Sequence, residues 1–378
     1  MITVQETLAQ LVAIDSVSTN SNAPIVDYLQ QRCEDVGFVV KRFSYNDDAG
    51  IEKINLIALA GGSITEPVQA ELALVGHTDT VPYDPNWKEA TTLTERDGRL
   101  FGRGSCDTKG FIAAALTAAS GVDLKNLKRP LALVFTADEE IGLLGAKYLA
   151  QIEAVRPRYS IVGEPTSLQP IRAGKGYSLA SVVVKGREAH SAYPALGESA
   201  VFRAARLISR LEGIGQQIES DRHEGFNPPF TTLNVGLING GTAKNVIAGS
   251  CSFTLEWRPI PTQNPTYVLD LLIAAIEEEK KTDSEFECEI NSGRNDSGFE
   301  TSEDSVLVKL LEDATGKKSG SVAFGTEAAQ MTMLGSEAVV LGPGDIREAH
   351  RTGEFVPIEE LERCVQVLSH AINKFCLQ

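Results

Sequence analysis

Positive charge is scarce in this chain of 378 residues: 35 Lys and Arg stand against 51 Asp and Glu, for a formal net charge of −16. A nucleic-acid partner calls for a clustered basic face, so the balance argues against one. The same excess suits a soluble protein that resists self-association. No CxxC pair occurs among the six cysteines, Cys33, Cys106, Cys251, Cys288, Cys364 and Cys376. Their scatter argues against a disulfide framework and a cysteine zinc site, and for reduced thiols packed as small core residues. Long apolar runs are missing too, since "FIAAALTAA" falls far short of the ~20 residues that span a bilayer. The opening stretch "MITVQETLAQLVAIDSVSTN" has no basic n-region, carries Glu6 early, and alternates like an amphipathic helix rather than a signal peptide. The expectation is a cytoplasmic protein with no membrane partner.

What is present is apolar sequence, 42% of it, spread over more residues than the ~250 to 300 at which single cores stop growing. Two domains are expected. Up to about residue 165, strand-like runs ("ELALVGH", "PLALVFTADEE", "YSIVGEP") alternate with helix-like ones ("KGFIAAALTAASG", "LLGAKYLAQIE"), which reads as α/β with a mixed, mostly parallel sheet flanked by helices. From "SLASVVVKG" to "SEFECEI" the order becomes βαββαβ, the pattern of a ferredoxin-like unit. "NSGRNDSG" reads as a polar linker, after which the first rhythm resumes. The predicted domains are therefore 1–175 with 292–378, and an inserted 176–291. No internal repeat or low-complexity tract occurs.

Chemistry enters at "ALVGHTDTVP". Residues i and i+2 of a strand point to one side, so His77 and Asp79 can face one place, where a carboxylate can orient a metal-ligating imidazole. Taken alone, the pair reads more readily as a strand-end turn network. Other strands end similarly: "FTADEE" in Asp138, Glu139 and Glu140, "IVGEP" in Glu164, and "LGPGDIREAH" in a segment reaching His350, while "GRGSCDTKG" places Asp107 just before a helix. Ligands in open α/β sheets gather outside the carboxyl ends of strands, so these groups can converge. Singly, each acid is a solvated charge or a helix N-terminal residue. Together they form a His, Asp, Glu, Glu, His set suited to zinc, with cobalt or manganese as substitutes, since no thiolate is demanded. Asp107, Glu140 and Glu164 with one hydroxide would balance two divalent ions. Of the adjacent Glu139 and Glu140, one can bind metal while the other stays free as a base.

"HTDTVP", "GRGSCDTKG", "TADEE", "GEP", "GREAHSA" and the terminal "GPG…AH", six motifs in order over nearly the whole chain, resemble the dinuclear zinc amidohydrolase and peptidase family (M20-type). That family contains acetylornithine deacetylase, succinyl-diaminopimelate desuccinylase, aminoacylase and carboxypeptidase G-type enzymes. The resemblance implies two zinc ions: His77 and Glu164 on one, Glu140 and His350 on the other, Asp107 bridging them, Asp79 behind His77, and Glu139 as general base. It gives the inserted domain a dimerising, lid-like role and has His190 reach the partner's site in a homodimer. It also matches Asn245 and Arg258 to positions that contact the substrate's carboxylate or carbonyl. Without the resemblance, His190 is an exposed turn residue and Arg258 a sheet-face salt bridge.

"SCDTKGF" and "FGTEAAQ" resemble the acetylornithine deacetylase branch, although Thr108 and Gly325 depart from its pattern. The implied reaction is hydrolysis of an N-acyl amino acid, N2-acetyl-ornithine to ornithine and acetate, as in arginine biosynthesis, with Glu327 a candidate partner for the cationic side chain. A desuccinylase, aminoacylase or dipeptidase of the same family is the alternative, and a non-catalytic binding homologue the reading from another class. Cys106 lacks an activating histidine and reads as a spectator thiol. "FGRGSCD" and "TGKKS" are incomplete phosphate-binding motifs.

Overall fold

The strand Val68–His77 is buried on both faces over its last residues. That is the position of a central parallel strand covered by helices on each side. A computed structural model describes residues 2–378. In it this strand lies between Leu131–Thr136 and Val155–Val162, parallel to both. The registers Leu74 to Leu133, His77 to Thr136 and Val75 to Val162 bring the three strands to an end side by side. Glu337–Val340 continues the parallel set beyond Val155–Val162.

On the other side, Glu52–Ala60 joins antiparallel to Leu131–Thr136 and carries Val39–Asn46 as an antiparallel edge. The sequence pattern does not mark this hairpin; together with the antiparallel pairing of Val340 to Ile171 it makes the sheet mixed. The helix Lys109–Ser120, "KGFIAAALTAAS", is buried almost all round, as a helix with no polar face must be. It packs with Val4–Val12 and Ile358–Ile372 in one core that includes Leu8, Leu116, Leu368 and Ile372. Truncating a leucine such as Leu74 here costs about 2 to 5 kcal/mol. A Cβ on Gly163 would lie 2.2 Å from the Phe111 ring, so only glycine lets this helix sit against the strand end that carries Glu164.

The chain divides into two compact units. The larger comprises the chain up to Arg172, Glu300–Gly320 and Thr326–Gln378; the smaller comprises Ala173–Phe299 and Ser321–Gly325. Within the smaller, Thr232–Gly240, Ser250–Arg258, Tyr177–Lys185 and Glu287–Asp296 form an antiparallel sheet in that spatial order. Its helices Ala200–Ile218 and Tyr267–Thr282 bury Leu207, Leu211, Val268 and Leu272 against Val182, Phe253, Leu255 and Trp257. "NSGRND" proves to be strand rather than linker: Glu287–Asp296 pairs with Tyr177–Lys185 to its end, and a register shift between Ser292 and Arg294 absorbs Gly293. A bulge, not a loop, explains the glycine. Among the described residues no helix is long and apolar enough to cross a membrane.

Candidate metal centre

Because His77 ends opposite Thr136 and Val162 ends opposite Val75, within two residues of it, the segments that follow them emerge at one edge of the sheet. Asp79, Glu139, Glu140 and Glu164 leave from there, Asp107 comes from the turn before the Lys109–Ser120 helix, and His350 from the long connection after Glu337–Val340. All lie within the larger unit.

Asp107 stands at the middle. Its Oδ1 is 3.1 Å from Nε2 of His77 and its Oδ2 is 3.1 Å from Nε2 of His350, so its two oxygens face two different imidazoles. His350 Nε2 is also 3.1 Å from the Glu140 carboxylate. Single ligand atoms of His77, Asp107 and Glu140 lie within 4.8 Å of one another. Glu164 is buried, and its ionisation is pushed well up by that burial and by the negative charges of Asp107 and Glu139. Burial alone would raise Asp107, but hydrogen bonds to His350 and His77 hold it below the usual carboxylate range. The same contacts with Asp107 and Glu140 lift His350 to about 10.

The donor chemistry fits divalent cations. Asp107, Glu139, Glu140 and Glu164 crowd around two imidazoles, and among the described residues no lysine or arginine pairs with any of the four. Like charges so close and so buried need compensation. Protons on the histidines and glutamates are one form of it, and cations held by imidazole nitrogen and carboxylate oxygen are the other.

Glu139 is distinct. No described residue hydrogen-bonds its carboxylate; only its backbone is engaged, the N–H donating to Asp79 and the carbonyl accepting from Gly142 and Leu143. Burial, with Glu140, Glu327 and Asp107 nearby, pushes its pKa well up despite the His77 imidazole. A carboxylate unclaimed by the protein and raised in basicity is equipped to accept a proton.

Asp79 does more than the sequence spacing suggests. The nearest acceptor to His77 Nδ1 is the Asp79 backbone oxygen at 3.0 Å, with Oδ1 farther off at 3.5 Å. The carboxylate instead accepts the amides of Glu139 and Glu140 and the Ser18 hydroxyl, the last at 2.7 Å. Buried Lys53 donates to the Ser18 carbonyl and reaches Asp138 Oδ1 at 3.1 Å, while Tyr45 donates to Asp138 Oδ2 at 2.8 Å. Asp138 has φ +55°, which swings the next two acids off the strand.

Glu327 is buried in the same unit, with Oε1 unpartnered among the described residues, and burial pushes its pKa up to about 7. Cys106 is buried with its thiol pKa raised, which suits a spectator. His190, Asn245 and Arg258 belong to the smaller unit. There His190 bridges to Val246, Ser191 donates to the Asn245 carbonyl at 3.0 Å, and both loops are exposed. Arg258 stacks on the Tyr177 ring at 3.9 Å and donates to Glu256 at 2.8 Å. Ser18, Lys53 and Glu354 escaped the sequence reading, for each stands in a segment with no motif; Arg103 lies inside "GRGSCDTKG", but only the fold shows what any of the four touches.

Residues 73–374 match the model of peptidase family M20/M25/M40. Acetylornithine deacetylase of Myxococcus xanthus is 54% identical over 99% of this chain and 97% of its own. The Klebsiella pneumoniae (strain 342) protein of the same name is 35% identical over 97% and 96%. Among solved structures, a tripeptidase from Staphylococcus aureus superposes with a TM-score of 0.75 at 24% identity, over 97% of this chain and 96% of that one.

Proposed function

The chain belongs to peptidase family M20/M25/M40, and from that premise we propose that it is an acetylornithine deacetylase, a metal-dependent amidohydrolase that splits N2-acetyl-ornithine into ornithine and acetate. The observation that carries the reading is Asp107, whose two oxygens each face a different histidine at 3.1 Å, as a carboxylate shared between two cations must. His77 with Glu164 would hold one ion and Glu140 with His350 the other, zinc being the natural choice for such donors, with cobalt or manganese able to replace it. Bound there, the ions would polarise the scissile carbonyl and acidify the attacking water.

The chain's own groups do the rest. Glu139 takes the proton of the water that adds to the acetyl carbonyl and returns it to the departing α-nitrogen, so the C–N bond breaks without releasing an amide anion. Arg258 and Asn245 hold the substrate's carboxylate and carbonyl, and Glu327 reads the cationic side chain. The 1–175 and 292–378 segments form the catalytic domain, and 176–291 the dimerising lid of a homodimer in which His190 serves the partner's site. Pairing is supported by an edge strand, Thr232–Gly240, whose Leu237 and Ile238 are 64% and 54% exposed, with Phe202 72% exposed on a helix of the same unit. An unpaired apolar edge is a template for another chain. The enzyme is placed in the cytoplasm.

The test combines metal analysis of the purified protein with a panel of N-acyl amino acids. Two ions per chain and fastest cleavage of N2-acetyl-ornithine are expected. Faster cleavage of N-succinyl-diaminopimelate or a dipeptide would move the protein to another branch, and no hydrolysis of any panel member by the fully metallated protein would leave a binding homologue.

A further inference from the structure

One carboxylate outside the ligand set ties two ligand-bearing loops together. Glu354 is fully buried. Its Oε1 accepts the amide hydrogens of Cys106 at 2.9 Å and Asp107 at 3.0 Å, and its Oε2 accepts Nη1 of Arg103 at 2.6 Å. Its backbone oxygen accepts from Gly102 N–H at 3.1 Å and from the Ser105 hydroxyl at 3.5 Å. Every residue of the turn 102–107 except Gly104 thus hangs on this side chain or its carbonyl. Arg103 is itself buried, stands 5.4 Å from the Trp87 ring and donates to the Pro82 carbonyl, so the charge on Glu354 is balanced in place.

Glu354 also follows His350 by four residues, and Phe355–Pro357 pairs directly with Arg99–Phe101. The segment that delivers His350 is therefore anchored at the same point as the turn that delivers Asp107. His77 and Glu164 leave the ends of central strands and need no such anchor. His350 is different: its side chain is 51% exposed and its backbone is left-handed at φ +58° in a loop.

We propose that Glu354 is a positioning residue for the second cation, the one held by Asp107, Glu140 and His350, and that its loss weakens that ion's binding far more than the first ion's. The proposal rests on the two-ion reading above. Glutamine cannot replace it, because one amide oxygen cannot serve both the Cys106 and Asp107 amides and Arg103, and its NH2 then faces a donor. Aspartate keeps the charge but is one methylene too short to reach both sides.

The experiment titrates zinc into the metal-free full-length protein against a chromophoric chelator, for the wild type, Glu354→Gln and Glu354→Asp, alongside cobalt absorption spectra and melting of the metal-free proteins. The expected result is a first step weakened no more than about twofold, through the shared Asp107, a second step weakened about tenfold to a hundredfold, and the larger change in the cobalt spectrum on adding the second equivalent. Unchanged second-step affinity in both variants overturns the proposal. Equal weakening of both steps, or failure of both variants to fold, overturns it too, since Glu354 would then serve the fold and not one ion. A wild type that takes up a single ion sinks the two-ion reading instead.

Discussion

Oδ1 of Asp79 accepts the backbone N–H of Glu139 at 3.1 Å, and Oδ2 accepts that of Glu140 at 3.3 Å. The residue two places after one metal-ligand candidate therefore sets the loop that carries another, together with the base. Asp79→Asn replaces one acceptor oxygen by a donor that would face an amide N–H. Removing such an outer-shell partner costs about 10- to 100-fold in metal affinity or activity. Steady-state kinetics on the metallated variant should show the loss mainly in kcat, and a wild-type kcat would rule out the clamp.

Glu139→Gln should keep its metal and lose about 10² to 10⁴ in kcat, because the amide matches the size of the side chain and accepts no proton. Metal analysis and turnover on the same sample decide it. Near-normal turnover would mean that another group takes the proton.

Glu327→Gln should raise KM for N2-acetyl-ornithine by about tenfold, roughly the worth of one buried charge-assisted contact, and leave N-acetyl-methionine within about twofold. The unpartnered Oε1 motivates the comparison. Equal effects on the two substrates would reject charge pairing.

If His190 serves the partner's site, mixing inactive Glu139→Gln with inactive His190→Ala should restore some activity as subunits exchange, because one mixed site would hold both native residues. No recovery in verified mixed dimers would confine His190 to its own chain.

Away from the site, Oε1 of Glu312 accepts the Ser319 amide at 2.7 Å and its hydroxyl at 2.8 Å, and these bonds lower its pKa from 4.5 to about 2. A depressed carboxylate stabilises the fold fully above its unfolded pKa and stops doing so as pH falls through the folded one. Glu312→Gln should cost about 1 kcal/mol at neutral pH, with the gap narrowing between pH 4.5 and 2. Urea unfolding of both proteins near pH 6 and near pH 3 measures it, and a constant gap would refute the linkage.

Local pattern was enough for much of this protein. Continuous apolar runs mark "ELALVGH", "PLALVFTADEE" and "YSIVGEP" as strands and "KGFIAAALTAASG" as a helix, because each must hide an apolar surface whatever its neighbours. The acids and histidines that end those elements were legible for the same reason: a charged group that closes an apolar run interrupts a pattern. What only the tertiary structure decided is which of those groups meet and what holds them. The Glu52–Ala60 strand, buried after its first residue, ends in no acid or histidine that would single it out, and it joins the sheet through pairing with Leu131–Thr136. Asp107 faces two imidazoles because strand register and the 102–107 turn bring separate segments to one edge. Glu354 lies nearly 250 residues from the amides it holds. A hydrogen bond between groups so far apart in the chain leaves no periodicity or spacing behind, since it depends on where the backbone runs and not on what stands next to it.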